Sequence, residues 1–428
     1  MASTKYHQVI RDLSDRIVNA QRPIHILDAL KWDPEVEAEF FKKRFKELPQ
    51  INGPAYYAKN PLRFDPLQKM EEFNQIERDI RRELGQFNSV GVIMQRMCRE
   101  YCTVIDLLMA RGTHYFNRYS EQLYGSAEDA FYAGAPTLKD LADLISDTLN
   151  SIKNQTDSEL DEKRYTGEEA VTLLGERLAP YFHEEGGASR VKLSDDIIAD
   201  AAAGAEYIKL KRNATFCERD LRVFEVHEGW VHLGTTLNGL NQPICTFLSK
   251  GPPSALITQE GLAIITEIFT FSSHPQRIQT LSDRITAIHM AEQGADFLEV
   301  FNFFRNKGVG EEESYSRTGR VFRGSVPNGK PFTKDLAYNK GFILIYNYIR
   351  LAIQRGLLSR IPLLFIGKIT LEDLHVFQDL IEEKIVIPPK YTPPQFKDLA
   401  ALSSWMCYSL FLNQLDLKRL AQEYKEIL

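Results

Sequence analysis

Residues 227–232 read His227-Glu228-Gly229-Trp230-Val231-His232. Two imidazoles with a carboxylate beside the first are the donor set of a hydrolytic metal site. Imidazole nitrogen binds zinc, and a neighbouring glutamate that is not a ligand can serve as base to a bound water. The familiar helical pattern places its histidines four apart on one face. Here the spacing is five. At about 100° per residue, four steps return a side chain to within roughly 40°, while five leave it roughly 140° away. A metal reading therefore requires a helix irregularity. One π-bulge absorbs the extra residue, and Gly229, a poor helix former, is the place for it. Without a metal the same residues read as two core histidines and a solvated Glu228.

Zinc needs a third protein ligand and a position open to water. Glu260, early in a strongly apolar helix that follows Pro252-Pro253-Ser254, is the candidate. An unpaired buried carboxylate is costly, and a metal ion would neutralise it. Its other reading is a carboxylate interacting with the helix dipole. With Glu228 as general base, the set describes peptide-bond hydrolysis. Downstream, Arg317, Arg320, Arg323, Lys334 and Tyr338 offer substrate contacts. Arg320, Arg323 or Lys334 would bind a carboxylate of the substrate, and Tyr338 would donate to the tetrahedral oxyanion. Lys209, Lys211 and Arg212 are alternatives, and solvated surface charge is the ordinary reading of them all.

The elements that must position these residues are mainly helical. Apolar residues recur at helical spacing through the first 150 residues, with breaks at Arg22-Pro23, Asn52-Gly53-Pro54 and 133–136. A polar stretch, 151–164, marks a boundary. The expected division is an N-terminal helical region, 1–150, packed on a catalytic region, 151–428. A capping box at Thr166 and Glu169 opens a helix, and a second at Thr215 and Glu218 opens the metal-binding helix, which ends before Gly234. Runs 190–194 and 206–210 alternate like strands, and the second is placed to pair with an extended peptide. A helix over 255–271 carries Glu260, and 308–331 reads as irregular. The fold expected is α+β, predominantly α-helical, with a gluzincin-like metallopeptidase core and a small sheet beside the metal-binding helix.

Other features read as structural. His183-Glu184-Glu185 belongs to a loop, while His289 and Glu292 lie three apart on a helix in a surface role. Trp230 packs, and Phe301, Phe303 and Phe304 line the core or floor an aromatic pocket. The five cysteines form no CxxC pair, which suits free thiols in a reducing cytoplasm. Hydrophobic residues make up 43% and charged residues 26%, with a net charge of −6. That balance fits a globular protein and no nucleic-acid partner. The segment 341–358 contains Arg350 and Arg355 and reads as a buried helix, so no membrane partner is expected. Residues 1–15 lack the apolar core of a secretory signal.

The run Gln259-Glu260-Gly261-Leu262-Ala263 resembles the motif of the flavohemoglobin expression-modulating QEGLA-motif proteins, and HEGWVH resembles that family's HExxxH element. The opening stretch 14–32 is similar to its N-terminal signature, so the resemblance spans nearly the whole chain. The same core is similar to that of the microtubule-associated tyrosine carboxypeptidases, which use zinc to remove the C-terminal tyrosine of α-tubulin. The resemblance implies His227, His232 and Glu260 as zinc ligands, Glu228 as base, and a peptide or protein C-terminus as substrate. No long basic extension that would hold an acidic microtubule is present, so a substrate other than tubulin is expected. Two alternatives stand beside the carboxypeptidase: a regulatory or binding protein with a vestigial zinc site, and a zinc endopeptidase or amide hydrolase.

Overall fold

The computed structural model describes residues 2–152, 155, 161–182, 190–195, 197, 199–204 and 206–427. Its first third is helical: α1 (Ala2–Gln21), α2 (Ile26–Leu30), α3 (Pro34–Lys42), α4 (Pro54–Tyr57), α5 (Pro66–Leu84), α6 (Ser89–Met109), α7 (Tyr115–Tyr124) and α8 (Leu138–Ser151). The expected breaks fall between these helices, except that Pro54 opens α4. In α6, Cys98 is buried and Cys102 half-buried, as small apolar side chains one turn apart.

A small β region follows: β1 (Tyr165–Thr166), α9 (Gly167–Leu178), β2 (Val191–Ser194), β3 (Ala201–Ala203), β4 (Ile208–Lys211) and β5 (Thr215–Phe216). β1 and β5 pair antiparallel. β4 lies between the other two strands, parallel to β2 with Val191 opposite Ile208, and antiparallel to β3 with Ala203 opposite Ile208. Helix α9 begins at the Thr166 box, in which Glu169 N–H donates to Thr166 Oγ1 at 3.3 Å and Thr166 N–H to Glu169 Oε2 at 2.8 Å.

One helix then runs through three segments: α10 (Glu218–Phe224), a π-helical stretch (Glu225–Leu233) and α11 (Gly234–Leu240). After it come α12 (Ala255–Phe269), α13 (Pro275–Glu292), α14 (Phe297–Asn306), α15 (Glu311–Phe322), α16 (Ala337–Gln354), α17 (Leu374–Glu382), α18 (Pro394–Lys397), α19 (Leu399–Leu412) and α20 (Leu417–Glu423). No helix among the described residues is long and apolar enough to cross a membrane.

Several local expectations are corrected. The second capping box is made by Cys217 and Asp220, because Thr215 is drawn into β5. The helix continues past Gly234, which is buried, to Leu240. The 206–210 run becomes β4, whose two sides are already taken, so the edges of the sheet are β2 and β3, and β3 is the edge beside Glu228. Residues 311–322 form α15 where an irregular stretch was expected. Three acidic residues, Glu311 to Glu313, favour its N-terminus, and Tyr315, Thr318, Val321 and Phe322 bury one face. Gly319 inside it meets no neighbour and does not break it. His183, Glu184 and Glu185 lie outside the described residues.

The largest apolar cluster joins both ends of the chain. Ile10, Phe73 and Met97 from the N-terminal helices share it with Val231, Leu262, Ile345 and Phe365. Within it α12 crosses α16 at two glycines. A Cβ on Gly261 would lie 2.2 Å from the Gly341 carbonyl carbon, and one on Gly341 would lie 2.0 Å from the Ile257 oxygen. Backbone therefore meets backbone, and the crossing holds Glu260 next to Tyr338, one turn before Gly341.

Candidate active site

A π-helix closes hydrogen bonds between residues five apart, so His227 and His232 sit one above the other. Gly234 N–H accordingly returns to the Gly229 carbonyl. Their rings are 4.7 Å apart, centroid to centroid, at 83°. At Gly229 a Cβ would stand 2.5 Å from a methyl of buried Leu178, so glycine here also lets the π stretch press on α9. Carbonyls loosened by the π geometry find side-chain donors. Thr235 Oγ1 donates to Val231 O at 2.7 Å, Thr236 Oγ1 to His232 O at 2.8 Å, and Lys368 Nζ to His232 O at 3.0 Å.

From the facing helix α12, Glu260 places Oε2 at 3.3 Å from His227 Nε2 and 3.5 Å from His232 Nε2. All three donor atoms lie within 4.8 Å of one another, a group able to hold a metal ion. Glu260 Oε2 is buried and makes no hydrogen bond of good geometry among the described residues. Burial alone would raise the Glu260 carboxyl, but the two imidazoles outweigh it and hold it well below the carboxylate range. Gln259, its neighbour, accepts from Lys368 Nζ at 2.7 Å and has its Oε1 2.7 Å from Thr235 Oγ1, which fixes the start of α12 against the end of the π stretch.

Behind His227 stands a pair that the sequence reading missed. Glu267, fully buried, lies 2.7 Å from His227 Nδ1 and accepts from Arg277 Nη2 at 2.9 Å. Burial would raise this carboxyl, yet Arg277 and His227 bring it down to about 2. An ionised Glu267 can only accept, so Nδ1 carries a proton, which leaves Nε2, on Glu260's side of the cleft, as the nitrogen a metal ion would take. Seven residues from Glu260 on one helix, Glu267 falls on the same face, a signal that was legible in the sequence.

Glu228 is held by the sheet: Ala203 N–H of β3 donates to Oε2 at 2.7 Å, while Oε1 lies 3.9 Å from His227 Nε2. This carboxylate thus sits between the edge strand and the donor cluster. Two cavities flank it, of about 590 and about 690 Å³, sharing His227, Glu228, Arg320 and Tyr338 as a common wall. The Tyr338 ring lies 6.4 Å from that of His227, centroid to centroid, beneath the Arg284 guanidinium. Burial, then Glu260, push its hydroxyl up to about 12, so it is a proton donor at neutral pH.

The basic candidates separate into kinds. Arg320 forms a two-pronged pair with Asp335, at 2.6 and 2.9 Å, and Arg317 pairs with Glu313 at 2.7 Å. Arg323 and Lys334 line the larger cavity with no carboxylate partner among the described residues. Arg323 Nε is buried without a hydrogen bond, over the Phe332 ring. Burial lowers Lys334 to about 8. Lys368 lines the same cavity and was missed, although a lone lysine in the apolar stretch 361–370 was the sign of it. Lys209, Lys211 and Arg212 line neither cavity, and Arg212 pairs with Asp195. His289 faces Glu128, and Glu292 accepts from Ala127 N–H, both away from the donor cluster. Trp230 stacks on Tyr181, Phe301 and Phe304 are core residues, and Phe304 also reaches the smaller cavity.

The family model described as microtubule-associated tyrosine carboxypeptidase aligns to residues 38–414. The chain belongs to this family. No individually curated protein matches the chain significantly. Every side chain of the donor cluster and of both cavity walls, apart from Gln21, Ile24, Ile26 and Leu27, lies within the part shared with the microtubule-associated tyrosine carboxypeptidase family.

Proposed function

We propose that the chain is a zinc-dependent peptidase with a gluzincin-like core, a metallocarboxypeptidase that removes the C-terminal residue of a peptide or protein. The observation that carries this reading is the convergence of His227, His232 and Glu260. A four-coordinate zinc ion about 2.0–2.1 Å from its ligands separates them by about 3.3–3.4 Å, against 3.3 and 3.5 Å from Glu260 Oε2 to the two imidazole nitrogens. Two imidazoles and one carboxylate, with a cleft on the open side, suit a catalytic rather than a closed structural site. When bound, the ion supplies a Lewis acid and lowers the pKa of its water to about 7.

The protein's own residues do the rest. Ala203 N–H fixes one oxygen of Glu228, which leaves the other beside the donor cluster to take a proton and return it to the leaving amine. Tyr338 donates to the developing oxyanion. Arg323 and Lys334, cations without carboxylate partners, hold the terminal carboxylate. The open edge of β3 aligns an extended peptide by strand addition. Residues 1–150 form a helical region packed on the catalytic region 151–428. Unpaired thiols at all five cysteines favour a reducing compartment, the cytoplasm.

The test is direct. Purified protein should carry about one zinc per chain, and Glu228→Gln should keep the metal while cleavage falls by about 10²–10⁴-fold. A peptide library varied at its C-terminus, read by mass spectrometry, should show loss of single C-terminal residues. Internal cuts would remove the carboxypeptidase assignment, and a metal-free protein purified without chelator would remove the zinc.

A further inference from the structure

Helix α19 is apolar on every side. Leu402, Met406 and Ser409 are buried, and Ser409 Oγ meets Tyr346 Oη of α16. On the outward face, Trp405, Tyr408, Phe411 and Leu412 are 54–72% exposed. A helix hydrophobic all round is normally covered all round; this one is covered on one side. The chain then enters α20, which buries no residue, and Leu417 and Ile427 are 79% and 78% exposed. An isolated helix this short is marginal in water and needs a surface to pack on.

Those six side chains are about two-thirds exposed on average. At roughly 200 Å² each when fully exposed, they present about 800 Å². A standard stable interface buries about 800 Å² per partner, so the exposed apolar area of this segment is of that order. Charge narrows the choice of occupant. Asp416, Glu423 and Glu426 are matched by Lys418, Arg419 and Lys425 over the same segment. Membrane-surface helices carry a basic excess that anionic headgroups attract; this segment has none. A balanced face can meet its own copy across a two-fold axis, with acids opposite bases.

We propose that a second copy of this chain docks here, the α19–α20 segments of two protomers covering each other's apolar faces in a symmetric dimer. Neither cavity is lined by these residues, so the pairing is independent of the metal site. α20 also lies beyond the residues matched to the family.

The full-length chain, measured by light scattering after size exclusion at low and high micromolar concentration, should have twice the 49.1 kDa chain mass. The double variant Trp405→Glu, Leu417→Glu should be a monomer with unchanged circular dichroism and unchanged peptide cleavage. Exposed Cys407, inside the patch, gives a second readout. It should react slowly with a thiol reagent in the wild type and faster on dilution, with Cys407→Ser as the blank. That measurement still decides if the double variant misfolds. A wild type that is monomeric throughout, with Cys407 reactivity independent of concentration, overturns the proposal. A monomer that co-floats with phosphatidylcholine–phosphatidylserine vesicles also overturns it, and assigns the face to a membrane.

Discussion

Glu267 accepts the Nδ1–H of His227 at 2.7 Å, and Arg277 closes on the same carboxylate at 2.9 Å. The buried chain Arg277–Glu267–His227 decides which imidazole nitrogen faces Glu260. Glu267→Gln preserves size but removes the charge that fixes this tautomer. Zinc affinity, measured by chelator competition, should fall about 10–100-fold. Unchanged affinity would mean that the pair has no hold on the ligand.

Arg320 and Arg323 stand three residues apart and should respond oppositely to loss of charge. Arg320→Met strands buried Asp335, whose carboxyl Arg320 and Arg284 hold far below its ordinary value against the opposing effect of burial. Breaking such a pair costs about 3–5 kcal/mol, and denaturant unfolding should report it. Arg323→Met and Lys334→Met should leave the midpoint nearly unchanged. Each should raise KM for peptides with a free C-terminus by about tenfold or more. Neither should alter cleavage of the matching C-terminal amides.

The Gly261–Gly341 contact admits no side chain. Gly261→Ala adds helix propensity worth about 1 kcal/mol, but its methyl group must push two backbones apart, and overpacking of this kind costs about 1–3 kcal/mol or more. The expected outcome is a lower thermal midpoint together with lower zinc occupancy, since Glu260 and Tyr338 move with the crossing. Calorimetry and metal analysis on one preparation check both.

Glu292 supplies a pH dependence away from the donor cluster. Burial, and to a lesser degree Glu121 and Glu128, raise its carboxyl to about 7 despite hydrogen bonds from Ser126 and Ala127. The folded protein therefore holds a proton that the unfolded chain releases near pH 4.5. The stabilising contribution is full below that value and is lost as pH rises to about 7. Glu292→Gln should flatten this part of the stability profile and raise the midpoint at pH 8, by the order of a few degrees. A parallel profile in the variant would locate the titration elsewhere.

The donor cluster was legible because its chemistry is local. Imidazole and carboxylate at fixed spacing define ligands, and a spacing of five leaves a helix only one way to present both rings. β3 was not legible: three alanines are weak strand formers, and only pairing with β4 makes them a strand. The different fates of Arg320 and Arg323 turn on Asp335, which lies fifteen residues after Arg320 in sequence and beside it in space. α15 was hidden by Gly319 and the glycines flanking the helix, whose breaking tendency is a small term against a buried aromatic face. Arg277 reaches Glu267 from the start of the next helix, a proximity that no periodicity encodes.

Removing Gly229 from the sequence would leave His-Glu-Trp-Val-His, the four-spaced pattern. Ordinarily one inserted residue throws every later side chain of a helix out of phase by about 100°. Here the slip is taken up between Glu225 and Leu233, so α11 keeps its hold on the rest of the core. A single-residue deletion at Gly229 would keep the ligand types and set α11 out of register with Phe365, Ile366 and Tyr391, whose carbonyls or N–H groups Asn238 and Gln242 now bind. The extra residue is part of the frame to which the remainder of the chain is keyed.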